Sequence, residues 1–383
     1  MVGSNVDMRE ALRLTRQGRL VEAMAVLRGE LTGESATGQA AESSRAFIDM
    51  VPPSNEDGAW TAPATGMEIP VSSASRAMTS GTLLDRLLDG VVNRPTKSAV
   101  LPPGATFGSF SFANDAGNRR YKLYVPSGYD GQPLPLLVML HGCAQSPDDF
   151  AAGTRMNEVA EEHLFLVAYP IQAKSANASK CWNWFNESDQ QRDQGEPSLI
   201  AGITRQIMRD FSVDSRRVYV AGLSAGGAAA AVMGATYPDV YAAIGVHSGL
   251  ACGAARDLPS AFVAMRRGGV AGALAEVFVP TIVFHGGEDT VVNPVNGDQI
   301  FAKAHVATTF ETTIVCGRTP GGLRFVQTKK TDGTGRSMIE KWVIHGAAHA
   351  WSGGSSAGSF TDPRGPDASR EIVRFFLQHS TRV

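Results

Sequence analysis

Excess charge of either sign, cysteines, aromatic residues and long apolar runs are all scarce in this chain of 383 residues. Its 35 lysines and arginines nearly match its 37 aspartates and glutamates, leaving a formal net charge of −2. That balance removes the electrostatic case for nucleic acid or an anionic membrane as a partner. The basic pairs Arg119-Arg120, Arg216-Arg217 and Lys329-Lys330 read as solvated surface. No apolar run approaches the ~20 residues needed to span a bilayer. Residues 1–7 lack the basic start and apolar core of a secretory signal. The expectation is therefore a cytoplasmic protein, with secretion of a processed form left open. Of the four cysteines, Cys143, Cys181, Cys252 and Cys316, none forms a C-x-x-C pair. Neither a zinc site nor a thioredoxin-like motif is indicated, and buried free thiols are the plain reading.

What is present suits one large globular domain with additional material, at 43% hydrophobic and 19% charged. Residues 7–31 have helical periodicity, broken at Gly18 into a helical hairpin. The hairpin resembles one tetratricopeptide unit, but no repeat follows. Residues 32–103 are rich in Gly, Ser, Ala, Thr and Pro and read as a linker, with a short amphipathic patch at 83–92. The chain thus divides into a helical and linker segment, 1–103, and a second domain, 104–383. In that domain a hairpin at 109–125 precedes continuous apolar runs at 134–140, 164–169, 218–221, 242–246 and 281–284. Such runs fit strands buried on both faces. Helical stretches at 148–163 and 198–210 lie between them, and 257–279 reads as a helical excursion serving as a lid or connector. A late hairpin pairs 323–329 with 337–344, and an amphipathic helix closes the domain at 369–379. Alternation of strand and helix predicts an α/β fold with a mostly parallel central sheet flanked by helices.

The feature that fixes the chemistry is Gly222-Leu223-Ser224-Ala225-Gly226, between a strand pattern and an alanine-rich helix. A G-x-S-x-G at a strand-to-helix junction is the nucleophile elbow of the α/β-hydrolase fold. A serine hydroxyl is a weak nucleophile near neutral pH, so it needs a histidine base and an acid to orient that base. In this fold the order is serine, acid, histidine. Asp289 follows the strand at 281–284 and is the expected acid, with Glu288 its nearest rival and Asp298 already on the next helix. His349 lies in a glycine-rich loop after the last strand and is the expected base. His345 reads as structural, His247 as packing beneath the elbow, and His163 and His379 as exposed. An oxyanion hole needs two backbone N–H groups. Ala225 supplies one, and Cys143 of His141-Gly142-Cys143-Ala144-Gln145 the other, with Gln145 or Ser146 as lesser candidates. Serine acyl transfer of this kind requires no metal or organic cofactor.

The quartet Leu140-His141-Gly142-Cys143, the run Cys181-Trp182-Asn183-Trp184-Phe185, the elbow, and His349-Ala350-Trp351-Ser352-Gly353-Gly354 together resemble the polyhydroxybutyrate depolymerase family of esterases. The loop Phe360-Thr361-Asp362-Pro363-Arg364-Gly365-Pro366 adds to the likeness, which spans about 107–377. The resemblance implies a triad of Ser224, Asp289 and His349. It also implies hydrolysis of 3-hydroxyalkanoate esters, as polymer or oligomer. The family includes feruloyl and acetyl-xylan esterases, so the ester itself is left open. Extracellular depolymerases of the family usually carry an export signal and a polymer-binding domain. Finding neither here favours oligomers, amorphous granules or small esters. A bridge between Cys143 and Cys181 is implied by the resemblance, while the missing signal favours reduced thiols. Trp182, Trp184 and Trp351 are candidates for an apolar substrate wall, or for core aromatics beside it. A rival reading is a granule- or partner-binding protein that uses the N-terminal helices and carries a vestigial hydrolase domain. Oligomeric state has no signal in the sequence.

Overall fold

A computed structural model describes residues 101–269, 277–302 and 310–381. The helical hairpin and linker expected at 1–103 lie almost wholly outside the described residues. Among the described residues ten strands form one sheet in the order β1-β2-β4-β3-β5-β6-β7-β10-β9-β8. The first two are β1 (Thr106–Asn114) and β2 (Gly117–Val125), the antiparallel hairpin expected from the sequence. The parallel centre comprises β3 (Leu134–Leu140), β4 (Leu166–Pro170), β5 (Val213–Leu223), β6 (Ala243–His247) and β7 (Thr281–Gly286). Beyond them, β8 (Glu311–Arg318), β9 (Arg324–Thr331) and β10 (Ser337–His345) form an antiparallel edge, with β10 parallel to β7.

The apolar runs are continuous because both faces of the centre are covered. In β3, Leu136, Val138 and Leu140 join one core cluster, while Leu137 and Met139 join the other. The first face is covered by α3 (Gly195–Asp210) and α4 (Ala225–Thr236). The second is covered by α1 (Pro147–Thr154), α2 (Met156–His163) and α7 (Ala368–Phe376). On α7, Phe376 stacks on Tyr219 of β5 at 4.8 Å. The remaining helices are α5 (Leu258–Arg267), after β6, and α6 (Val295–Ala302), after β7. A two-stranded parallel ladder joins β11 (Trp351–Ser352) and β12 (Thr361–Asp362). Among the described residues no helix is long and apolar enough to cross a membrane.

The structure corrects the sequence reading of the chain path in three places. The helix expected over 148–163 is two helices, parted by Arg155 in a left-handed conformation (φ 54°). Its guanidinium donates to Asp367 and to the carbonyl of Gly353, contacts that a continuous helix would aim elsewhere. The late hairpin has a third strand, β8, exposed along nearly its whole length. An edge strand with both faces wet has no alternation to read, although its Thr312-Thr313-Ile314-Val315 run carries β-propensity. His379 is buried against Phe375 because α7 ends at Phe376 and the chain then turns inward. Burial lowers its pKa to about 4.

The chain switches direction across the sheet at β3, which has β4 on one side and β5 on the other. Loops leaving the carboxyl ends of two such strands diverge and open a crevice between them. The loop after β3 begins at His141, and the loop after β5 is Ser224.

Candidate active site

Ser224 stands between β5 and α4 with φ 58° and ψ −119°, a conformation disfavoured for a side-chain-bearing residue. Its N–H donates to the carbonyl of His247 at 2.9 Å. The flanking glycines are demanded by contact. A Cβ on Gly222 would lie 2.3 Å from the Gly226 oxygen, and one on Gly226 would lie 2.0 Å from the Leu140 oxygen. The elbow is therefore wedged against the end of β3, which also starts the His141 loop. As first residue of α4, Ala225 has an N–H with no intrahelical acceptor, at the end of the helix that favours negative charge.

The His141 loop is held from several sides. Its Gly142 N–H donates to Gln145 Oε1 at 2.9 Å, the Ala144 N–H to the Ser179 carbonyl at 2.8 Å, and the Gln145 N–H back to Gly142. The Cys143 N–H meets no acceptor among the described residues. Cys143 is joined to Cys181 by a disulfide. His141 Nε2 accepts from the Gln172 N–H, so its Nδ1–H donates to the Gly142 carbonyl at 2.7 Å. Full burial lowers the pKa of His141 to about 4, so the ring is neutral near pH 7. Behind it, buried Glu196 accepts from Asn183 and Gln172 side chains and from the Asn183 N–H. Burial raises the pKa of Glu196.

Asp289 and His349 meet. His349 Nδ1 lies 2.7 Å from Asp289 Oδ2, which leaves Nε2 as the free ring nitrogen. Asp289 Oδ1 accepts from the N–H groups of Val291 and Val292 at 2.9 and 2.8 Å. Burial alone would raise its pKa, but the bond to His349 and the backbone donors hold it below the ordinary carboxylate value. Of its expected rivals, Glu288 is exposed and Asp298 pairs with Lys341. His285 Nε2 donates to the Val292 carbonyl at 2.8 Å and stands 3.5 Å from Asp289 Oδ2.

His247 links the two halves of this arrangement. Its carbonyl holds the Ser224 N–H, while its Nε2 accepts the N–H of Ser352, three residues beyond His349, at 3.0 Å. The ring is sandwiched between Phe284 and Trp351, at 5.7 and 5.0 Å. Burial lowers its pKa to about 3, which keeps Nε2 an acceptor.

Ser224 and Ala225 open onto an apolar cleft of about 250 Å³. Cys143, Cys181, Trp184, Phe185 and Leu250 form one side, and Leu258, Ala261, Phe262 and Met265 of α5 another, with Val292 from the Asp289 loop. Asn177 and Ser179 are its polar members. Of the three tryptophans read as either cleft wall or core aromatics, Trp184 lines the cleft and the other two are core. Trp182 is fully buried, its Nε1–H given to the His141 carbonyl. Trp351 is buried too, its Nε1–H given to Ser369 Oγ and its ring packed on His247 and Phe150. The excursion after β6 supplies a cleft wall. Its Leu258, Ala261, Phe262 and Met265 are spaced for one helix face, a signal available in the sequence. Among the described residues, no group of three His, Cys, Asp or Glu side chains is arranged to hold a metal ion.

Known proteins share this architecture. The solved acetyl xylan esterase from Aspergillus awamori matches with a TM-score of 0.52 at 18% identity, covering 71% of this chain and 99% of that one. The likeness establishes the α/β-hydrolase fold. Poly(3-hydroxyalkanoate) depolymerase C of Paucimonas lemoignei is 33% identical over 254 residues, 62% of this chain and 60% of that protein. Feruloyl esterase B of Thermothelomyces thermophilus is also 33% identical, over 151 residues, 39% of this chain and 50% of that protein. The chain therefore spans about half to three fifths of the length of these relatives. The family model described as "Esterase PHB depolymerase" matches residues 119–321, just over half the chain and including the elbow and the Asp289 loop. This chain belongs to the PHB depolymerase family of esterases.

Proposed function

We propose that the chain is a serine carboxylic-ester hydrolase with Ser224 as nucleophile, His349 as general base and Asp289 as its orienting acid. The observation that carries this reading is the 2.7 Å Asp289–His349 bond, made by residues that follow Ser224 in the order the fold requires. Ser224 Oγ attacks the ester carbonyl as His349 Nε2 takes its proton, and Asp289 stabilises the imidazolium. The free N–H groups of Cys143 and Ala225 receive the oxyanion, each worth roughly 3–4 kcal/mol in the transition state. His349 then protonates the departing alcohol, and water cleaves the acyl-enzyme by the reverse sequence. Buried His141 and His247 stay neutral and hold backbone, so neither competes as base.

The substrate class best supported is esters of 3-hydroxyalkanoates, polymer or oligomer. The depolymerase relative aligns over more of the chain than the feruloyl esterase relative does, and the cleft beside Ser224 is apolar. Aryl or acetyl esters are the second reading, favoured by the feruloyl esterase relative and by Trp184 and Phe185 in the wall. A panel of hydroxybutyrate oligomers, amorphous polymer, p-nitrophenyl acetate and methyl ferulate decides between them. The first reading expects the highest kcat/KM on the oligomers. Preference for methyl ferulate would replace it with the second, and no turnover of any ester would remove both.

A further inference from the structure

A second concavity, an open groove of about 530 Å³, lies at the far end of the sheet. It is lined by Gly287 and Glu288, by His345 and Gly346, and by Arg318 and Arg324. The three cationic or ionisable nitrogen-bearing side chains form a ladder. Arg318 of β8 stands directly opposite Arg324 of β9, and Arg324 directly opposite His345 of β10. Directly opposed residues of antiparallel strands project from the same face, and like charges so placed repel.

Elsewhere in this region arginines are neutralised. Arg336 pairs with Asp332, Arg364 with Asp362, and Arg374 with Glu340. Neither Arg318 nor Arg324 meets a carboxylate among the described residues. Arg318 has one neutral acceptor, the Gly322 carbonyl at 3.1 Å. Among the described residues Glu288 is the groove's one carboxylate, and it is in ion-pair contact with neither guanidinium. The ladder is also anchored. Thr319 Oγ1 donates to the Arg364 carbonyl, tying the β8–β9 turn to the loop beside β12, and β10 fixes the other side.

Two opposed, uncompensated guanidinium groups on an anchored strand pair make a fork suited to bidentate recognition of oxygen anions. We propose that this groove binds a small oxyanion, a carboxylate or phosphate, clamped between Arg318 and Arg324 with His345 at its edge. The bound anion relieves the cross-strand repulsion. Because Gly287 and Glu288 directly precede Asp289, it also seats against the loop that carries that residue.

The test is calorimetric titration of the full chain with sodium phosphate and, separately, sodium acetate, at ionic strength held constant with chloride. Wild type, Ser224→Ala, Arg318→Gln, Arg324→Gln and the double arginine variant are compared, each with its melting curve as a check on folding. The expected result is saturable binding of one anion per chain in wild type and equally in Ser224→Ala. Each single arginine variant should weaken it roughly tenfold or more. The tighter of the two salts identifies the anion as phosphate-like or carboxylate-like. Binding no better than chloride, or undiminished in the folded double variant, overturns the proposal. Loss in Ser224→Ala also overturns it, by placing the anion in the catalytic cleft. The ester-hydrolase reading stands or falls separately, since no arm measures turnover.

Discussion

On one side of the cleft, Ser224 and the turn after β3 are held by backbone. Glycines at 222 and 226 sit where any Cβ would collide, the Ala144 and Gln145 N–H groups are committed, and Cys143 is bridged to Cys181. On the other side, α5 presents Leu258, Phe262 and Met265 through side chains alone, and Leu258 keeps half its surface exposed. In the proposed mechanism the backbone-built wall fixes where charge develops, which demands positions held within tenths of an ångström. The side-chain wall contributes apolar area, which tolerates exchange of one aliphatic or aromatic group for another. Under the proposed mechanism, damage to the first wall abolishes chemistry, and damage to the second shifts preference among esters.

That contrast can be broken at several points. After loss of Ser224 itself, the largest effect is expected from Asp289→Asn, which keeps the size of the side chain but loses the charge that orients His349. Turnover should fall by about 10⁴-fold with KM little changed. If Glu288→Gln has this effect instead, the acid is misassigned.

Acid should act next most strongly, and on the backbone-built wall. His141 and His247 have folded pKa values of about 4 and 3, below an unfolded value of ~6.5. The unfolded chain therefore takes up protons first, and stability falls as pH drops below about 6.5. At pH 5 the loss is on the order of 2 kcal/mol for each histidine. Melting temperatures at pH 7 and 5 measure it, and a curve flat or rising toward pH 5 would contradict the assignment of these rings as neutral.

A smaller effect is expected from His247→Phe. Phenylalanine preserves the stacking on Phe284 and Trp351 but strands the Ser352 N–H, a loss of ~1–3 kcal/mol. Expressed through a displaced His349 loop, kcat should fall roughly ten- to a hundredfold. KM should hold, and the pH profile of kcat/KM should move, which a purely structural loss would not produce. The smallest effect belongs to the apolar wall. Phe262→Ala should lower kcat/KM about three- to tenfold on long or aryl esters and leave p-nitrophenyl acetate nearly unchanged. Equal loss on all esters would place α5 with the chemistry.

The same contrast explains what the sequence made readable. The elbow, the Cys143 turn, Asp289 and His349 are legible because backbone constraint and chain order admit few residue types at each place. For Trp182 and Trp351 the sequence leaves wall and core both open, because a large aromatic beside the site serves equally well as buttress or wall. Only the partners of the two indole N–H groups, the His141 carbonyl and Ser369, separate those roles. The helical spacing of Leu258 to Met265 was visible, but nothing local says which face meets Ser224. The break at Arg155 and the burial of His379 depend on distant partners and leave no local trace. The Arg318–Arg324–His345 ladder exists only through strand register, which links residues far apart in sequence.

Everything in the proposed mechanism rests on Ser224 being an activated nucleophile. That activation is tested most directly by reacting the purified chain with a fluorophosphonate and locating the adduct by mass spectrometry. One adduct per chain is expected, on Ser224, abolished in folded Ser224→Ala together with ester hydrolysis. Labelling at another serine, or ester hydrolysis retained in Ser224→Ala, would contradict it.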